Sequence, residues 1–250
     1  MHLILYLKKA IVLVLLFLFS TTANAEYKYK SHSYKTFISS EMFKWEGIIK
    51  SIEDSSHLKT IEQKLELISY YYGYTGHLIG KKKFEKATKF CTIGEHFTDQ
   101  LLRIAPKNST ANSYKGAFIG FRIAINKLKN MKLYDDSKAF IDKALELDPN
   151  NTQAIIDKAN YLFYMPSMIG GDKQEALHLY IKGARLMEKN KDAHQNWFYL
   201  NTLTLIAMAY DKTDQDHLAK IMYEKILHLE PNYRWVKQDL YPKLLLKLEK

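Results

Sequence analysis

Cysteine is almost missing from this 250-residue chain: Cys91 stands alone, so no internal disulfide can form. Stability must therefore come from packing. Proline and glycine are also scarce, at 5 and 10 residues, which leaves little of the turn chemistry that a chain of many short strands needs. Valine- and isoleucine-rich alternation bounded by turns is absent too, and strand content is expected to be negligible. After the first residues there is no apolar run of the roughly 20 residues that a membrane-crossing helix requires.

The beginning of the chain is different. Lys8 and Lys9 precede the apolar run Ala10 to Phe19, and a small polar stretch ends in Ala23-Asn24-Ala25. A charged start, a short apolar core and an A-x-A exit are the parts of a secretory signal peptide. Residues 1–25 are read as that signal, cleaved after Ala25, with an uncleaved anchor as the alternative. Cys91 lies too far along to carry a lipid anchor there. An exported chain without disulfides fits a bacterial periplasm best, with secretion as a further destination.

The formal net charge is +10. Basic balance can serve nucleic acid, an anionic membrane surface or acidic partners. Export excludes nucleic acid. The lysines are also spread along the chain, with small clusters only at Lys81–Lys83 and at Lys127, Lys129 and Lys132. Solvated helix faces account for that pattern.

Three of the prolines close a recurring phrase: Leu101-Leu102-Arg103-Ile104-Ala105-Pro106, Leu145-Glu146-Leu147-Asp148-Pro149 and Leu227-His228-Leu229-Glu230-Pro231. They are spaced by 43 and then 82 residues, one and two periods of about 41. A repeat of this length means stacked helix pairs, with proline stopping one helix before the next begins. In the last unit Leu203, Ile206, Ala207, Tyr210, Ala219, Tyr223, Ile226 and Pro231 follow the tetratricopeptide spacing. Ala207 and Ala219 leave room for two helix axes to approach closely. This unit resembles the tetratricopeptide repeat family. The resemblance implies an all-α fold: a right-handed superhelical stack of antiparallel helix pairs, an α-solenoid that binds protein partners.

The other units are looser. The third offers Ala159, Leu162, Ala176, Tyr180 and Gly183, with an insert holding Pro166, Gly170 and Gly171. The second has Ile141, Ala144 and Pro149, with Ser137 where alanine is usual, and a first helix expected from Ser109 to about Met131. The first has Tyr71, Tyr74, Thr75, Leu78, Ala87, Cys91 and Gly94. Four degenerate repeats result, spanning 58–231. Helix starts are expected at Asn108, Asn151, Asp172, Asp192 and Asp214, with Glu175 as reciprocal partner of Asp172. Residues 232–250, with Trp235, Val236, Leu240, Leu244, Leu245 and Leu248 at helical spacing, should cover the last unit. Residues 26–57 precede the repeats. Within them Phe43, Ile48, Ile49 and Ile52 suggest a short capping helix, and Glu26 to about Lys35 should be mobile. The insert and the long second-unit helix together look like exported bacterial tetratricopeptide proteins, including the T component of TRAP transporters.

Catalytic constellations do not emerge. There is no His-Glu-x-x-His, Gly-x-Ser-x-Gly or phosphate-cradling glycine loop, and the nine histidines are scattered. Glu95 and His96 adjoin but point to different faces of a helix. His217 and His228 carry no ligand spacing. Cys91 reads as a buried structural residue, and Gly170-Gly171-Asp172 as a turn. The chain is thus expected to be no enzyme and to need no cofactor or metal. The tyrosines are plentiful at eighteen. Counting from the small-residue positions, the resemblance places Tyr72, Ser113, Asn160, Phe163, Tyr164, Thr204, Met208 and Asp211 towards a concave partner-binding groove. The expected function is non-catalytic protein–protein interaction through that groove. The alternative is ligand handling beside a periplasmic substrate-binding protein in TRAP-type solute uptake, through a channel lined by Phe121, Phe163 and Tyr164. An enzyme with an unrecognised site is the remaining alternative.

Overall fold

The computed structural model describes residues 29–54, 60–126 and 133–249. The signal segment, Glu26 and the lysine cluster Lys127–Lys132 lie outside them. Among the described residues every regular element is helical. Helix α1 covers 29–38. A 3₁₀ turn, Met42–Lys44, leads into α2, Trp45–Glu53. Then come α3 (Ile61–Gly80) and α4 (Phe84–Ile104), α5 (Ser109–Ile125) and α6 (Tyr134–Leu147). They are followed by α7 (Thr152–Tyr164) and α8 (Lys173–Lys189), then α9 (Trp197–Lys212) and α10 (Asp216–Leu229). A π-helical turn, Val236–Leu240, runs into α11, Tyr241–Leu248. Each helix from α3 to α10 packs on the next, and the first helices α3, α5 and α7 also touch in sequence. The chain is an α-solenoid of helix pairs.

Local sequence explains where the helices start. Asn108 Oδ1 accepts from Ala111 N at 2.8 Å, and Asn151 Oδ1 from Ala154 N at 3.0 Å. Asp172 Oδ1 takes both Gln174 N and Glu175 N at 2.9 Å, while no reciprocal bond from Glu175 is present. Thr60 and Gln63 form a full capping box at α3. Two starts differ from expectation. Asn196, not Asp192, caps α9, accepting from Phe198 N at 2.8 Å. Asp214 lies at φ 58° in the turn after α9, where Gln215 N bonds back to Tyr210 O, so α10 begins at Asp216 without a side-chain cap. Helix α5 stops at Ile125 rather than near Met131, because Asn126 turns extended at φ −147°.

The small residues of the repeat pattern are buried between the packed helices. Ala87, Ala144, Ala159, Ala176, Ala207 and Ala219 are all fully buried. Gly94 is tighter still: a Cβ there would lie 2.5 Å from the Phe118 ring. Ser137 fills its alanine-like position without orphaning its hydroxyl, which donates to Gly116 O at 2.8 Å.

The stretch from residue 29 onward is ordered helix, contrary to the expected mobility. Its inward face is built from Ser33, Thr36 and Phe37, so burial is hidden behind polar letters. The hydroxyls bond back to carbonyls of their own helix, Ser33 to Lys30 and Thr36 to His32. This segment also does more than cover the first unit. Trp45, fully buried, sits edge-on to Tyr70 at 5.5 Å and to Trp197 at 5.1 Å, and donates from Nε1 to Thr36 at 2.9 Å. Phe37 meets Tyr233 at 5.2 Å, and the Tyr34 hydroxyl donates to Glu230 at 2.9 Å. Helices α1 and α2 therefore tie the first unit to the last. Phe43, expected on the buried side, is 66% exposed. At the other end Val236 and Leu244 are buried, and Lys247 pairs with Asp211 at 2.9 Å and Asp216 at 2.7 Å. Pro242 has no N–H for the fourth residue back, and the wider π turn before it gives its ring room.

Candidate binding face

Gln153, Asp157, Asn160 and Tyr164 follow one another at helical spacing along α7, on one face. Asp157 is 2% exposed and, among the described residues, has no cation beside it. Its carboxylate is satisfied by hydroxyls and amides. Tyr72 on α3 donates at 2.8 Å, Ser113 on α5 at 2.6 Å and Gln153 at 2.9 Å. Asn160 donates to the Tyr72 hydroxyl at 3.1 Å and accepts from Tyr180 on α8 at 2.8 Å. Burial pushes the Asp157 carboxyl up to about 6, and the hydrogen bonds from Ser113, Gln153 and Tyr72 pull the other way. Burial, then the Asp157 charge, holds the Tyr72 phenol well above its usual range.

The expected groove residues thus divide. Tyr72, Ser113, Phe163 and Thr204 are buried. Tyr72 packs on Tyr114, Phe121 and Phe198, and Thr204 bonds back to Leu200 O at 2.9 Å. Asn160, Met208 and Asp211 are partly buried, and Tyr164 is 62% exposed. Tyr72, Ser113 and Asn160 meet in one network. Thr204, Met208 and Asp211 lie on α9, outside its hydrogen bonds. The aromatic side chains named for a channel fill one another's space: Phe121 lies against Tyr72 and Phe118, Phe163 against Tyr164 and Tyr180.

Sequence reasoning missed Asp157, Gln153 and Tyr180 as network members, although their helical spacing was legible. It also missed the tip of the insert. Met168 is 94% exposed and Ile169 48%, on a 3₁₀ turn that closes through Gly170 at φ 96°. Gly171 N bonds to Pro166 O at 3.0 Å and Asp172 N to Leu162 O at 3.0 Å, so a tied turn holds these apolar side chains in solvent shortly after α7 ends at Tyr164.

Reactive groups are muted. Cys91 is buried, contacts Phe118 O at 3.5 Å and is pushed up to about 12 by burial. Burial, with Lys81 and Lys83 nearby, lowers His77 to about 4. Glu95 is ion-paired with Lys115 at 2.9 Å, and His96 lies 2.9 Å from Gln100. Among the described residues, no three His, Cys, Asp or Glu side chains group closely enough to hold a metal, and no helix is long and apolar enough to cross a membrane.

The sequence profile of the tetratricopeptide repeat matches residues 128–151 and 200–233. These matches span the second helix of the second unit and most of the last pair, so those two stretches match tetratricopeptide repeats. Among solved structures, YrrB, described as a TPR protein with an unusual peptide-binding site, is 18% identical with a TM-score of 0.37; the alignment covers 86% of this chain and 94% of that one. No curated protein matches the sequence.

Proposed function

We propose that this protein is a non-catalytic, exported scaffold that holds a protein partner against the exposed end of the α7 face and its neighbouring tip. The carrying observation is that Tyr164, at the end of α7, and Met168 and Ile169, on the braced turn that follows it, are large apolar side chains left exposed. Exposed apolar clusters of this kind mark interaction sites. Asn160, Met208 and Asp211 extend the same reading with polar and sulfur contacts. Tyr72, Ser113, Phe163 and Thr204 serve it from below, by fixing the helices. A rigid stack presents such a surface without ordering it on binding. Export rests on the Lys8-Lys9, Ala10–Phe19 and Ala23-Asn24-Ala25 signal, and the periplasm is the compartment that suits a chain lacking disulfides.

A photo-crosslinking residue placed at Tyr164 or Met168 in cells should yield a discrete higher-mass adduct, lost when Ile169 is replaced by serine. The same residue at Lys89, on α4, should give none. Equal adducts from all positions, or none from any, would remove the assignment. Mass analysis of the purified chain should find its first residue at Glu26; an intact Met1 would contradict cleaved export.

A further inference from the structure

The two halves of the N-terminal segment are held differently. Helix α2 stays with the first unit. It buries Trp45, Ile48, Ile49 and Ile52, pairs Glu46 with Lys86 on α4 at 2.5 Å, and accepts from the Tyr71 hydroxyl at Glu53. Helix α1 reaches instead to the last unit, where Tyr34 meets Glu230 across 196 positions of sequence. Of its three buried residues, Ser33, Thr36 and Phe37, only Phe37 is apolar. That ring lies 6.0 Å from Trp197 and 5.2 Å from Tyr233. The remaining ties of α1 are polar. Tyr34 donates to Glu230 at 2.9 Å, Arg234 Nη1 to Ser39 O at 3.4 Å, and Trp45 Nε1 to Thr36 Oγ1 at 2.9 Å. Water replaces such bonds at small net cost, whereas buried apolar surface is what keeps a helix seated. Between the two helices Ser40 takes φ 59°, a left-handed conformation unfavourable to a residue with a Cβ. So α2 is anchored, α1 is lightly seated, and Ser40 is the pivot between them.

We propose that α1 is a displaceable strap, and that the seat beneath it on the last unit takes an amphipathic helix of a protein partner. The strap itself shows what the seat accepts. Trp197 and Tyr233 receive one aromatic ring, and Glu230 takes a hydroxyl from the residue three positions before it. Arg234 meets a carbonyl at the end of the helix, where the helix dipole is negative, so the seat also reads helix direction. A partner helix with the same aromatic pair and a more apolar inward face would bury what Ser33 and Thr36 do not. Release of α1 leaves α2 on the first unit and uncovers the seat. The proposal rests on the scaffold reading and adds to it a second contact, covered in the free chain.

The probe is a capped, fluorescently labelled peptide of residues 29–40, read by fluorescence anisotropy on the full chain, with helicity as the check on folding. The unaltered chain should bind it weakly, because its own α1 fills the seat. Phe37→Ser loosens α1, leaves every residue of the seat in place, and should raise the apparent affinity about tenfold. Glu230→Ala added to that variant should weaken the peptide about fivefold, through the lost Tyr34 bond. Equal affinity for the unaltered and Phe37→Ser chains would overturn the proposal, as would no binding to a folded Phe37→Ser chain. Hydrogen exchange on the unaltered chain is a second reading that needs no variant. Amides of 29–38 should exchange about tenfold faster than those of α2 and α3, since rare openings release α1 alone while bulk unfolding remains one transition. Equal protection would tie α1 to global unfolding and overturn the strap. A concentration-dependent dimer of the unaltered chain would give the seat to a second copy's α1 and overturn the partner assignment. None of these results bears on crosslinking at Tyr164, so the two readings fall separately.

Discussion

The hydroxyl of Tyr72, on the first helix of the first unit, donates to Oδ1 of Asp157, on the first helix of the third, at 2.8 Å. Ser113 brings the second unit to the same carboxylate at 2.6 Å. Three units are thus joined through one buried acid that, among the described residues, has no cation to balance it. Such a network is costly when half satisfied and specifying when complete.

The Asp157 carboxyl gives the fold a definite pH response. Its folded value of about 6 lies above the roughly 3.9 of an unfolded aspartate, so the folded chain holds the extra proton between those values. The contribution of Asp157 to stability is therefore full below the unfolded value and is lost as pH rises towards and through 6. Asp157→Asn removes this dependence. Its amide oxygen can still accept from Tyr72, and its nitrogen can donate once Ser113 and Gln153 reorient. At pH 7.5 the variant should be more stable than the native chain by roughly 1–3 kcal/mol, and at pH 4 by much less, in urea titrations.

Closure through α1 and α2 should make the described chain unfold as one body. Trp45→Ala removes the side chain that touches Tyr70 and Trp197 together, at a cost of roughly 3–5 kcal/mol. The native chain should show coincident fluorescence and helicity transitions. In the variant the last unit should melt separately from the first.

Between the packed helices, added volume has nowhere to go. Ala219→Leu, at a fully buried position of α10, should destabilise by roughly 1–3 kcal/mol. Leu218→Ala, next to it but 43% exposed, should change the urea midpoint little.

The insert tip should be neutral for folding. Met168 is 94% exposed, so Met168→Ser should move stability by less than about 0.5 kcal/mol while reducing crosslinking from Tyr164. A large loss of stability would mean that the tip is packed in solution.

Much of this architecture was legible because its signals are periodic. Pro106, Pro149 and Pro231 marked the units, and Ala207 and Ala219 marked positions that the structure buries fully. Asn108, Asn151 and Asp172 announced their helices. Legibility ended where tertiary context replaced local pattern. The helix at 29–38 shows no aliphatic stripe, since its inward face is Ser33, Thr36 and Phe37, and only the last unit explains its burial. Asp192 and Asp214 had the right letters for caps, but the chain turns after one and through the other before helix resumes. On the candidate face, Tyr72, counted as groove lining, is buried filling, because Phe198 arrives from α9 at a sequence distance no spacing rule covers, whereas Tyr164 stays exposed.

A double-mutant cycle between Tyr72→Phe and Asp157→Ala, read by urea unfolding at pH 7.5, tests most directly whether the units are locked together from within. The buried link predicts a coupling of roughly 1–2 kcal/mol between the two positions. Additive effects, within about 0.3–0.5 kcal/mol, would mean that the hydroxyl and the carboxylate do not meet in solution, and that the inner face stands open.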